Sequence, residues 1–149
     1  MSQAKALLPE AEEYSRSILV QCETMGLEFH TVHHTSQVVA AVKELCAELK
    51  IPEDSTCEII LAAWFHDLGY TRKYVGHEDE SKRLAEDFLR AKGADHDMIS
   101  RILDLIEATR LGVEPEDLHQ EIIKDADLFN LATDEALAYT AQLRTEWSR

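Results

Sequence analysis

The stretch that decides the fold is IILAAWFHDLGY, residues 59–70. It is apolar from Ile59 to Phe65, and His66 and Asp67 follow side by side. Pro52 lies just upstream, and a proline suits a first helical position, where the N–H it lacks has no intrahelical partner. The pattern predicts a helix from about Pro52 to Leu68. A helix that is apolar all round belongs in the middle of a bundle. Its last turn must then be buried or line a cleft, so the imidazole and the carboxylate are carried inward with it.

Working outward, the remaining segments also read as helical. Prolines and glycines are few (Pro9, Pro52, Pro115; Gly26, Gly69, Gly76, Gly93, Gly112) and fall between apolar-periodic runs, as breakers do. A first helix is expected over about Pro9 to Met25, with Gly26 as its stop. A second runs over about Thr35 to Lys50, with Val38, Val39, Val42, Leu45, Cys46 and Leu49 on one face. A fourth covers about His77 to Lys92 and ends at Gly93. A fifth covers about Asp95 to Arg110, with Ile99, Ile102, Leu103 and Ile106 inward. A sixth spans about Glu116 to Leu131, and a seventh Asp134 to Trp147, capped by Thr133 or Asp134. No strand-like alternation persists, and no repeat or low-complexity tract interrupts the chain. The expectation is an all-α, single-domain bundle of about six to seven helices.

The 149 residues suffice for one domain with a sizeable core. Hydrophobic residues make up 45% and charged residues 30%, an ordinary globular balance. The net charge of −14 sets the chain against nucleic-acid polymers and anionic membranes. A phosphate-bearing ligand would need a local cation, and a metal ion is often the largest charge in its site. Cys22, Cys46 and Cys57 are odd in number and lack metal-type spacing; they read as buried free thiols in a reducing cytoplasm. The N-terminal MSQAKALLPE lacks the basic-then-apolar form of a signal peptide. No run approaches the ~18 apolar residues of a membrane span. A cytoplasmic protein is expected.

A lone buried carboxylate is protonated, paired with a cation or bound to a metal. No Lys or Arg follows Asp67 before Arg72, and imidazole and carboxylate are both good ligands for divalent metals. Two further groups sit on apolar stripes. His34 precedes Val38, Ala41 and Leu45 by four, seven and eleven residues, which places it on the inward face of its helix. Asp127 lies four residues after Ile123 and four before Leu131. Taken singly, an inward histidine reads as a hydrogen-bonded core residue and an inward aspartate as a cap or ion-pair partner. Four such groups on three apolar faces put a metal site, with two nitrogens, two oxygens and room for water, on an equal footing with those readings.

In sequence the pattern resembles the HD superfamily of metal-dependent phosphohydrolases: a histidine, a His-Asp doublet and a distant aspartate. FHTVHHTSQVV (29–39) resembles the opening histidine segment, with His34 in the ligand position and His33 off register. LAAWFHDLGY (61–70) is similar to the doublet segment, HEDESKRLAEDFL (77–89) to the His-Glu…Ser helix that follows, and IKDADLFNLA (123–132) to the closing Asp-Ala-Asp. The resemblance implies one HD-type domain over 1–149 with a core of about 15–131. It implies His34, His66, Asp67 and Asp127 as metal ligands, with Asp125 as an outer partner of the site or a surface cap. Binuclear members use two further histidines. His77 stands near one of those positions, but Ala108 and Thr109 occupy the other, so one metal is expected. Relatives of this branch often continue past the equivalent of Trp147, which implies a shortened C-terminal part here.

One divalent ion is therefore expected, with Mn²⁺, Fe²⁺, Co²⁺, Ni²⁺, Mg²⁺ and Zn²⁺ all admitted by the donor set. It would serve hydrolysis of a phosphate ester, monoester or diester, in a small nucleotide-like molecule. By resemblance Asp67 doubles as general base. His77 and Glu78 are candidates for proton transfer to the leaving group, with a first-turn helix cap as the alternative for Glu78. Arg72 and Lys73 are the preferred phosphate contacts and Arg110 the next, while Tyr70 and Tyr74 could stack a base. Lys82 is expected to pair with Glu78 on the surface. His30, His96 and His119 are left outside the site. A homodimer stays open. The rival readings are a catalytically silent metal- or nucleotide-binding regulatory domain, a two-metal redox enzyme and a metal-free structural bundle.

Overall fold

The computed structural model describes residues 3–24, 32–68, 77–110 and 112–129, without the side chains of 21–24, 32–33, 77–78 and 128–129. Within these residues all regular structure is helical: α1 Gln3–Thr24, α2 Val32–Glu48, α3 Glu53–Phe65, α4 His77–Ala91, α5 His96–Ala108 and α6 Leu118–Phe129. The expected seventh helix lies outside the described residues, as do Leu131, Arg72, Lys73, Tyr70, Tyr74 and His30.

α3 is the axis of the fold, and every residue from Ile59 to Leu68 is buried. It packs against each of the other five helices, as a segment with no polar stripe must. Glu53 and Asp54 in its first turn offset the helix dipole. Around it, α5 contributes Ile99, Ile102, Leu105 and Ile106, and α6 contributes Ile122, Ile123 and Ala126. Leu103 is partly buried against this core. Tyr14 of α1, Phe65 of α3 and Phe88 of α4 form an aromatic cluster with ring centroids 4.9–6.2 Å apart, which clamps three helices beside the doublet.

Two expectations need correction. α1 begins at Gln3, six residues before Pro9. Its buried stripe of Ala4, Leu7, Ala11, Ser15 and Leu19 runs through the proline, whose exposed ring forfeits one backbone bond near the helix start. The Gln3 side chain secures that first turn by donating to the Gly93 carbonyl and accepting from the Asp95 N–H, both at 2.9 Å. The second correction is Leu49, which is 49% exposed rather than inward. α2 has ended at Glu48, and Lys50 takes a left-handed conformation (φ 56°) while the Ile51 N–H reaches back 2.9 Å to the Cys46 carbonyl. The same closure recurs at Gly93 (φ 72°), where the Ala94 N–H bonds to the Leu89 carbonyl at 2.9 Å.

Cys46 and Cys57 are buried free thiols, and burial pushes both above the usual thiol range. Among the described residues no helix is long and apolar enough to cross a membrane. Leu61→Ala, which opens a cavity in α3, is expected to cost about 2–5 kcal/mol in urea unfolding, whereas Leu49→Ala should stay within about 0.5 kcal/mol of the parent.

Candidate metal centre

Three helices deliver four ionisable side chains to one point. His34 stands in the first turn of α2, His66 and Asp67 directly follow α3, and Asp127 lies in the last turn of α6. Each is placed by the apolar face it shares: Val38 and Val42 below His34, the whole of α3 behind the doublet, and Ile123 and Ala126 beside Asp127. His66 is 1% exposed and Asp67 5%.

The donor atoms converge closely. His34 Nε2 is 3.3 Å from Asp127 Oδ1 and 3.5 Å from Asp67 Oδ2. His66 Nε2 is 3.3 Å from Asp67 Oδ2 and 3.4 Å from Asp127 Oδ1. The two imidazole centroids lie 6.2 Å apart. One ring nitrogen of each histidine and one oxygen of Asp127 all fall within 4.8 Å of one another. Neighbouring ligand atoms around an ion with bonds of about 2.0–2.2 Å sit about 2.8–3.6 Å apart, so the observed spacings suit a shared cation.

The hydrogen bonding fits the same reading. His66 Nδ1–H donates to the Ala63 carbonyl at 2.6 Å, which fixes the ring and turns Nε2 toward the acids. A backbone carbonyl on the far nitrogen is the usual partner of a metal-ligating histidine. His66 Nε2 is buried and, despite its two close carboxylates, lacks the alignment of a hydrogen bond with any described group.

The electrostatics state what the pocket wants. Burial works against the charged form of His66, yet the negative charges of Asp67 and Asp127 outweigh it and push the imidazole up to about 10. For Asp127, burial favours the protonated form, but the His66 charge and the hydrogen bond to His34 outweigh it and hold the carboxyl well below the usual carboxylate range. Both shifts have one cause: two converging acids favour positive charge at this point.

Other expected residues fall as follows. α4 starts at His77, but the side chains of His77, Glu78 and His33 lie outside those described. Arg110 bonds to Asp79 at 2.7 Å and to Glu107 at 2.9 Å, so a phosphate contact would require this pairing to open. Lys82 pairs with Glu107 at 2.7 Å and Asp79 at 3.5 Å; the expected pairing with Glu78 falls on a side chain outside those described. Asp125 and His96 are exposed and His119 half-buried. Where a second metal would need a histidine, Ala108 is buried in the core and the Thr109 hydroxyl donates to the Ile106 carbonyl at 2.7 Å.

By its place in the sequence Lys124 is one of the cations near the motifs that could meet a phosphate; its bracing role is not legible there. Its ammonium donates to the Arg110 carbonyl at 3.1 Å and to the Val113 carbonyl at 2.5 Å. It thereby ties the C-terminal end of α5 to the helix that carries Asp127, one turn away. Both acceptors are backbone groups in the chain reversal before α6, so no pattern of side chains announces the bond. Lys124→Met keeps the stem and deletes both bonds; unfolding in urea should show a loss of about 1.5–3 kcal/mol.

A family model described as HD domain matches residues 31–131, more than half of the chain and a span that holds all four converging side chains. No curated protein and no solved structure matches.

Proposed function

From the premise that the chain belongs to the HD-domain family, we propose that it is a hydrolase of phosphate esters working with one divalent metal. The observation that carries the proposal is the convergence of His34, His66, Asp67 and Asp127, with ligand-like spacing, at the buried end of α3. HD domains are typical of metal-dependent hydrolases, and this donor set matches their metal chemistry.

The four side chains would hold the ion between them, and Asp67 has the further role of general base. A bound divalent cation supplies Lewis acidity, lowering the pKa of water toward ~7 and neutralising charge on a phosphoryl oxygen. In the proposed reaction water attacks phosphorus, Asp67 accepts its proton, and the bond from phosphorus to the leaving oxygen breaks. That oxygen takes a proton from His77 or Glu78 at the start of α4. Ser81, one turn further along, bonds to the doublet's backbone at 2.9 Å, which supports a role for this end of α4.

The phosphate's remaining charge falls to Arg72 and Lys73, with a small nucleotide-like molecule as the substrate class. The apolar environment of Ala108, where binuclear relatives need a ligand, supports a single metal and weighs against a two-metal redox centre. A cytoplasmic setting accords with the buried reduced thiols.

Two measurements test this. The chelator-treated chain should gain Mn²⁺, Co²⁺ or Ni²⁺ at one per chain. At 100 times its dissociation constant the metal should add about 2.7 kcal/mol of stability, about 5–10 °C in melting temperature. Hydrolysis of aryl phosphate mono- and diesters should then appear with the metal and vanish on chelation. His66→Ala and Asp67→Ala should lose metal and turnover while far-UV circular dichroism stays close to the parent. Stoichiometric metal without turnover of any phosphate ester would move the assignment to a silent binding domain; absence of metal would overturn it.

A further inference from the structure

We propose that Ser81 is a positioning residue for the His66–Asp67 doublet; the inference rests on the metal site proposed above. The peptide group between His66 and Asp67 joins two ligands. It is planar, so the direction of its carbonyl constrains rotation on both sides and with it the aim of both side chains. α3 ends at Phe65, and carbonyls at a helix C-terminus have no intrahelical partner. Among the described residues a hydrogen bond from outside α3 meets the His66 carbonyl.

Ser81 answers it from another helix. Its hydroxyl donates to the His66 carbonyl at 2.9 Å across fifteen residues of sequence, and the serine is fully buried. Two hydrogen bonds of different origin therefore hold the doublet. The local one, from His66 Nδ1–H to the Ala63 carbonyl, sets the ring. The distant one sets the peptide that carries ring and carboxylate together. The second links the ligand geometry to the docking of α4, which opens with His77 and Glu78.

A hydroxyl that merely filled a buried polar vacancy would support folding and nothing more. Metal affinity separates that role from positioning. Mn²⁺ affinity is measured by calorimetry on the full chain, well below each variant's melting temperature, together with the visible absorption spectrum of the Co²⁺-loaded protein. Ser81→Ala should bind with one-to-one stoichiometry but about 10–100-fold more weakly, with an altered Co²⁺ spectrum. Ser81→Thr, which keeps the hydroxyl, should recover affinity; should its added methyl prevent folding, Ser81→Cys, a weaker donor, should fall between parent and alanine. Thr109→Val is the control. It removes a hydroxyl-to-carbonyl bond at the end of α5, and both affinity and spectrum should match the parent. Equal affinity in parent and Ser81→Ala would overturn the positioning role alone. Failure of the parent to bind either metal would overturn the metal site, and this inference with it.

Discussion

Two carboxylates share one end of an oily helix, and that requires a positive charge between them. Asp67 is almost wholly inaccessible, and Asp127 shares its two imidazole neighbours. In a medium of low effective dielectric, two like charges this close destabilise each other unless something neutralises them. The two acids push the His66 imidazole between them well above the ordinary histidine range, against the effect of its burial. A divalent ion would answer the same demand with twice the charge and with bonds to all four groups. Imidazole must be neutral to ligate a metal, so any metal affinity of this cluster would depend on pH.

The rest of the bundle can be understood as support for that convergence of side chains. α3 reaches it only because its neighbours bury every side, and the aromatic contacts of Tyr14, Phe65 and Phe88 stiffen the turn just before the doublet. α6 is braced through Lys124 against the carbonyls of Arg110 and Val113, which fixes the helix that presents Asp127. α4 is tied in through Ser81. The cations described on these helices are themselves engaged: Lys82 and Arg110 by Asp79 and Glu107, Arg83 by Glu80 and Asp87, Arg101 by Glu58. In a chain of net charge −14 they offset acids already present.

Much of this was legible in the sequence because it is local or periodic. The unbroken apolar run of α3 announced a central helix, and the four-residue spacings around His34 and Asp127 turned both inward. Periodicity cannot say where a stripe stops. Pro9 looked like a helix start because local rules treat proline as a boundary, yet the buried stripe from Ala4 to Leu19 and the Gln3 bonds to the α4–α5 turn override it. Leu49 continued the α2 pattern on paper, but a left-handed residue at Lys50 ends the helix first. Ser81 and Lys124 were invisible in their supporting roles because each acts on a backbone carbonyl, and a carbonyl has no letter in the sequence.

The position of the doublet at the end of α3, rather than within it, carries its own logic. A helix accumulates partial negative charge at its C-terminus, where unpaired carbonyls gather. Placing His66 and Asp67 there adds the dipole of a buried helix to the charge of two acids, and all of them favour a cation. Asp127, in the last turn of α6, brings a second such end close by. A central helix end is also the place where backbone direction must be fixed from outside, since the intrahelical ladder has run out. The carbonyl dipoles that make this end attractive to a cation are therefore also groups that must be met by donors, and among the described residues Ser81 meets that of His66.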